Sequence, residues 1–252
     1  MKHASILAVV ALLCVEFTGS GLEARAASFP KYITDAVADS ARPAEDTTRD
    51  KSRKPADTLA FAGVKPGDQV LEIAPGKGYF TRLLSAVVGS KGKVTIYTAP
   101  PKPDAPKLPV VALAAEPHYS NVNVVLQRVT EAKPLSVFDA VWTSQNYHDF
   151  HNIPDLDIAT INRTVFESLK PGGTYFVLDH VAEAGSGTRD TNTLHRIDPE
   201  TVKQEVKAAG FEFAGESDLL RNKNDPHTGK VFEGPIQGNT DQFILKFRKP
   251  KK

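Results

Sequence analysis

An α/β fold with a mostly parallel sheet is predicted by three features of the sequence. Short runs rich in β-branched and apolar residues recur along the chain with helical patterns between them, the alternation that builds parallel sheets from strand, crossover helix and strand. An apolar strand pattern at 69–73 passes through a glycine turn, Gly76-Lys77-Gly78, into an amphipathic pattern around Leu83, Leu84 and Val87. No internal repeat or heptad occurs, and a hydrophobic fraction of 40% is ordinary for a globular domain.

Taken in order, Met1 is followed by Lys2, an uncharged apolar run over 4–15, and a looser stretch ending in Ala24-Arg25-Ala26. This charged, apolar, small-residue order predicts a cleavable secretory signal over 1–26, cut after Ala26 or Ala27. A run of twelve residues is shorter than the roughly twenty a spanning helix needs, so no membrane anchor is expected after cleavage. A lipid anchor on Cys14 is the weaker reading, because bulky Leu13 precedes it. The expected location is therefore periplasmic or secreted. Cys14 is the only cysteine and leaves with the signal, which excludes a disulfide framework, a cysteine-based zinc site and a catalytic thiol in the mature chain. The remainder is long enough for one domain with a sizeable core.

Residues 27–62 form a helical segment before the main domain at 63–252. Its helical pattern at 32–61 breaks near Pro43 and Pro55. The stretch RPAEDTTRDKSRKP, 42–55, reads either as a solvated helical face or as a lid over a site, with Arg49, Asp50 and Arg53 placed to clamp an anion.

Strands are expected at 69–73, 93–98, 123–126, 138–143, 174–179, 211–214 and 242–247. Residues 98–109, TAPPKPDAPKLP, are too proline-rich for regular structure and form a loop. Ile158, Ile161, Val165, Phe166 and Leu169 fall at helical spacing and make the buried stripe of a crossover helix. Asp198-Pro199-Glu200 supplies an N-cap with proline at the first helical position, and Gly210 a fitting stop. Residues 218–240, rich in Asn, Asp, Gly and Pro, predict a long hairpin-like excursion before the last strand. The formal net charge is +1, from 31 basic and 30 acidic side chains, so nothing in the balance points to nucleic acid; the basic end RKPKK reads as a solvated terminus.

The loop Glu72-Ile73-Ala74-Pro75-Gly76-Lys77-Gly78 joins a strand ending in a carboxylate to the start of a helix. Glycines let the backbone approach a ligand, and free N–H groups at the helix start attract electron-rich groups. A carboxylate inside the turn suits a ligand with a cationic end, such as an adenosyl-sulfonium amino acid, better than a dinucleotide.

Together with Phe138-Asp139-Ala140-Val141-Trp142 and the turn Leu169-Lys170-Pro171-Gly172-Gly173-Thr174, this loop resembles the class I S-adenosylmethionine-dependent methyltransferases. More narrowly, the segments at 42–50, Tyr147-His148-Asp149 and 241–250 resemble those of a group of predicted bacterial methyltransferases that are often exported. The resemblance implies a Rossmann-like, seven-stranded, mostly parallel sheet in the order 3-2-1-4-5-7-6, flanked by helices, with S-adenosyl-L-methionine as cofactor and a small-molecule methyl acceptor as partner. It implies that Glu72, Gly76 and Gly78 line the methionine and ribose side of the cofactor, with Ala74, Thr98 and Asn146 completing the pocket. Ala74 replaces the family's usual first glycine, Pro75 removes an N–H donor, and Thr98 stands where an acid usually holds the ribose hydroxyls. These departures keep a second reading open, a non-catalytic periplasmic protein binding a nucleoside or small metabolite.

The stretch WTSQNYHDFH, 142–151, follows the fourth strand, Asp179-His180 follows the fifth, and His195 with Asp198 begins the next crossover. Methyl transfer to a hydroxyl needs an aligned acceptor and a base for its proton. His148 is the expected base, oriented by Asp149 or Asp179, with Tyr147 packing on cofactor or acceptor and His180 at the same edge. A metal reading would combine His148, His151 and His180, but no metal site is expected, because a loop histidine pair without a second fixed motif is weak evidence and structural roles also suit these residues.

Overall fold

The computed structural model describes residues 28–251. The expected signal segment 1–26 and Cys14 lie outside the described residues. Four short helices lead the chain: α1 (Lys31–Val37), α2 (Ala44–Thr47), α3 (Asp50–Arg53) and α4 (Pro55–Ala62). Proline at the first position of α4 and Gly63 at φ 81° after its end set that helix's limits.

The sheet contains β1 (Gln69–Ile73), β2 (Lys93–Thr98), β3 (Val122–Leu126), β4 (Phe138–Ser144), β5 (Leu169–His180), β6 (Glu212–Ser217) and β7 (Gln242–Arg248). Their order is β3-β2-β1-β4-β5-β7-β6, with β7 antiparallel to both neighbours and the other pairings parallel. This matches the sequence expectation. The main crossovers are α5 (Tyr79–Val88), α8 (Ile158–Ser168) and α9 (Pro199–Ala208), with shorter α6 (Pro109–Ala114) and α7 (Tyr147–Phe150). The proline-rich loop gives way to α6 because Pro109 occupies its first turn, where a missing N–H costs nothing. Asp157 and Asp198 cap α8 and α9 by accepting from Ala159 N and Glu200 N. No helix of the described residues is long and apolar enough to cross a membrane.

One local expectation needs correction. Leu169 starts β5 rather than ending α8, because it pairs with Phe138 before the register shifts and the strand resumes at Thr174 opposite Ala140. Gly173 permits this, since a Cβ there would lie 2.9 Å from Lys170 O and 3.2 Å from Asp139 O. Of the two readings of 42–55, neither is a uniform face: Arg42 and Asp46 are buried while most of their neighbours are exposed.

Alternation along each strand sends successive side chains to opposite faces, which makes two cores. Val70, Ile96, Trp142, Phe176 and Ile244 meet α1, α4, α5 and α6 on one face. Leu71, Val141, Tyr175, Val177 and Leu245 meet α7, α8 and α9 on the other. Covering both faces leaves the carboxyl ends of β1 and β4, where the strand order reverses, as the natural crevice for a ligand.

Candidate active site

A cavity of about 420 Å³ opens at that crevice, a size typical of small-molecule sites. The glycine loop lines it through Ala74, Pro75, Gly76 and Lys77, α5 through Tyr79 and Phe80, and the end of β4 through Ser144 and Gln145. The leading segment closes its outer side with Glu45, Arg49 and Arg53. A second cavity shares Arg49, Arg53 and Gln145 with the first and extends to His180, Phe232, Thr240 and Gln242. The two cavities therefore meet at Arg53 and Gln145, whose side chains are hydrogen-bonded.

The leading segment is fixed over this junction by charge. Arg42 makes a two-pronged pair with Asp50, at 2.9 and 2.6 Å, and Asp50 also accepts from the Tyr79 hydroxyl at 2.7 Å. Asp46 pairs with Arg82 of α5 at 3.1 Å. Arg42, Arg49 and Arg53 surround the Tyr79 ring, Arg53 lying 4.6 Å from its centre. Burial, with Arg49 beside it, lowers the Arg53 pKa to about 10, so it remains a cation facing both cavities at neutral pH.

Glu72 shares the sheet face of Val70 and so points beneath α5, not into the cavity. It is 1% exposed, accepts from Thr81 Oγ1 at 2.6 Å, and its Oε1 has no hydrogen-bond partner. Burial pushes its pKa up to about 8. Gly78 does not line the cavity either: a Cβ on it would lie 2.7 Å from Leu113 Cδ1, so it is needed for the packing of α6 on α5. Gly76, with φ 61° and open space at its Cβ position, does line it. Ala74 holds the left-handed region at φ 52°. Asn146 secures that loop by donating to Ile73 O at 3.0 Å and Ala74 O at 2.8 Å, which commits both amide hydrogens to the backbone rather than to a ligand. Thr98 ends β2 outside the cavity lining, and among the lining residues no acid comes from β2.

The expected catalytic cluster divides. Tyr147 is fully buried, donates to Glu205 Oε2 at 2.9 Å and accepts from Asn162 at 2.8 Å, so no face of its ring is open to cofactor or acceptor. His148 is enclosed against Asp179, with Nδ1 at 2.8 Å from Oδ1. Burial by itself would lower the His148 pKa, but Asp179 and Asp149 outweigh it and raise the pKa to about 10. The ring thus carries a proton at neutral pH and is not a free base. His180 is the opposite case: burial lowers its pKa to about 4, so it is neutral, and it lines the second cavity with Nδ1 at 2.7 Å from Thr240 Oγ1. Paired groups whose environments drive their pKa values apart mark separate roles. Asp149 is half exposed and lies between His148 and His195.

Gln145, Phe232, Thr240 and Gln242 line the second cavity without having been singled out in the sequence. Only Gln145 carried a signal, its place just after β4; the other three come from 218–240 and the start of β7, which nothing local ties to the crevice.

No protein-family model matches the chain. It is 32% identical over 208 residues to a ubiquinone/menaquinone biosynthesis C-methyltransferase of Escherichia coli O1:K1 / APEC, across 69% of this chain and 78% of that protein. It is 35% identical over 124 residues to the protein of that name from Shewanella woodyi, across 48% of this chain and 46% of the relative, about half its length. Among solved structures, a Burkholderia thailandensis 1,6-didemethyltoxoflavin-N1-methyltransferase with bound S-adenosylhomocysteine superposes with a TM-score of 0.53 at 16% identity, covering 82% of this chain and 80% of that one.

Proposed function

The chain belongs to the class I S-adenosylmethionine-dependent methyltransferases, and from that premise we propose that it transfers a methyl group directly to a small-molecule acceptor held in the second cavity. The observation that carries this reading is the junction of two cavities at Arg53 and Gln145, one built on the glycine loop and the other on the histidine edge. In-line transfer requires two ligands approaching one point from opposite sides.

The residues present suit the methionine half of the cofactor. Gly76 leaves the backbone open to close approach, and Arg49 and Arg53 offer cations to a carboxylate. No acid from β2 lines the ribose half; Glu45, also at the cavity wall, is the nearest carboxylate in kind and is paired with Lys77 at 2.9 Å. When bound, the cofactor would supply an electrophilic methyl carbon and a sulfur leaving group.

The chain's own groups position and deprotonate the acceptor. Gln145 and Gln242, joined by a hydrogen bond of 3.0 Å, present amides to its polar groups, and Phe232 presents an aromatic face. Neutral His180 accepts the acceptor's hydrogen bond and, as the methyl bond forms, its proton. This replaces His148 in the role the sequence suggested.

Calorimetric titration of the purified chain with S-adenosylhomocysteine tests the reading. Micromolar binding that weakens in an Arg53→Gln variant supports it, and no binding at millimolar ligand overturns it. Export to the periplasm is proposed on the 1–26 pattern, and N-terminal sequencing of protein recovered from the cell envelope checks it: a start at Ala27 or Ser28 is expected, and a start at Met1 would remove it.

A further inference from the structure

The histidines that spacing would combine into a metal site are sent apart by the fold. His151 Nε2 lies 3.3 Å from Glu205, and His180 Nδ1 lies against Thr240. His195 takes their place, brought to His148 with ring centres 5.4 Å apart and planes at 85°. We propose that His148 Nε2, Asp149 Oδ1 and His195 Nδ1 bind a divalent transition-metal ion, zinc matching the donor set best.

Four observations converge. The three donor atoms lie within 4.8 Å of one another, with Asp149 Oδ1 3.3 Å from His148 Nε2 and 3.4 Å from His195 Nδ1. Two ligands about 2.0–2.1 Å from a tetrahedral ion stand roughly 3.3 Å apart, so both edges already have the required length. His148 Nε2 and His195 Nδ1 face Asp149 Oδ1 but make no contact of hydrogen-bond geometry, although the His148 side chain is 1% exposed. A buried ring nitrogen without a partner is costly unless something occupies the space it faces.

The opposite nitrogen of His148 is held by Asp179, which is fully buried and also accepts from the backbone N–H groups of His148 and His180. A carboxylate behind a histidine, fixing its orientation and raising its basicity, is the usual support of a metal-bound imidazole; the ion displaces the proton that Nε2 otherwise holds at neutral pH. His195 holds the left-handed backbone region at φ 56°, a conformation that a histidine adopts at a cost and that turns its ring toward Asp149. Three protein ligands leave a coordination position for water or for an oxygen of a bound molecule. The His195 ring packs on Phe232, 5.0 Å between centres, and Phe232 lines the second cavity, so the ion stands one aromatic ring from that cavity. An oxygen of the methyl acceptor as fourth ligand rests on the methyltransferase reading; the ion does not.

The test is titration of the chelator-treated full chain with Co²⁺, read by the visible absorption of a tetrahedral site, followed by competition with Zn²⁺. One equivalent is expected to bind. His195→Ala and Asp149→Asn, both at partly exposed positions, are expected to weaken binding at least 100-fold while leaving the circular dichroism of the fold unchanged. Asp179→Asn is expected to weaken it 10–100-fold. No binding to the wild type at millimolar Co²⁺ or Zn²⁺, or binding unaltered in both His195→Ala and Asp149→Asn, would overturn the site. S-adenosylhomocysteine affinity is expected to be unchanged in His195→Ala; metal binding by a protein that ignores this ligand would sink the methyltransferase reading and leave the metal site standing.

Discussion

Replacing Glu72 by Gln separates what burial does to this carboxyl from what its shape does. Folding raises its pKa from 4.5 to about 8 through burial, against the hydrogen bond from Thr81. Between those values the folded state holds a proton that the unfolded chain has released, so stability falls as pH rises through the window. One pKa unit corresponds to roughly 1.4 kcal/mol, which makes the loss about 3 kcal/mol by pH 7 and about 5 kcal/mol above pH 8. Gln keeps the shape and can still accept from Thr81, but it has no charge to bury; its amide N–H₂, placed where Oε1 lacks a partner, costs about 1–3 kcal/mol. Glu72→Gln should therefore be close to neutral or slightly stabilising at pH 7, stabilising by roughly 2 kcal/mol or more at pH 9, and destabilising at pH 5. Urea unfolding of both proteins at these three pH values measures the difference. Parallel pH profiles would show that the carboxyl is already ionised in the folded protein, and the account of Glu72 as a buried neutral acid would fail.

Four further outcomes are expected. Gly78→Ala places a Cβ against Leu113 at a backbone φ of 84°, and should cost about 2–4 kcal/mol in urea unfolding, whereas Gly76→Ala, with open space, should cost about 1 kcal/mol; equal losses would refute the packing role of Gly78. Asp225→Ala strips the counterion from Arg196, with both side chains fully enclosed, and should cost about 3–5 kcal/mol; a loss below 1 kcal/mol would mean that the pair is hydrated. Tyr147→Phe removes the hydroxyl bonded to Glu205 and Asn162 and should lower stability by about 1–2 kcal/mol with no change in S-adenosylhomocysteine affinity; weakened binding would return Tyr147 to the ligand site. Arg53→Gln should weaken that ligand roughly tenfold or more in calorimetry, because Arg53 is the buried cation at the junction of the two cavities; unaltered affinity would mean that the ligand never reaches the junction.

Much of the fold was legible because its signals are local. The strands at 69–73 and 93–98 have the bounds expected of them, and the cap at Asp198 and Pro199 starts α9 where it should, since alternation, capping and proline each act within a few residues. The start of β5 was misplaced because Leu169 obeys a helical spacing and is then claimed by pairing with Phe138, a contact 31 residues away.

The site was legible only as a neighbourhood. The sequence by itself determined that the glycine loop and the two histidine-bearing strand ends meet at one edge of the sheet, because strand order and polarity carry them there. Only the tertiary structure decided what each side chain does at that edge. Glu72 is neutral because α5 covers it, His148 and His180 take opposite charge states because two carboxylates outweigh burial at one while burial and the nearby cations His148, Arg196 and Arg53 outweigh Asp179 at the other, and His195 joins His148 across 47 residues of chain. Charge state and ligand geometry depend on distances of a few ångströms between distant segments, and no periodicity or spacing along the chain encodes those distances.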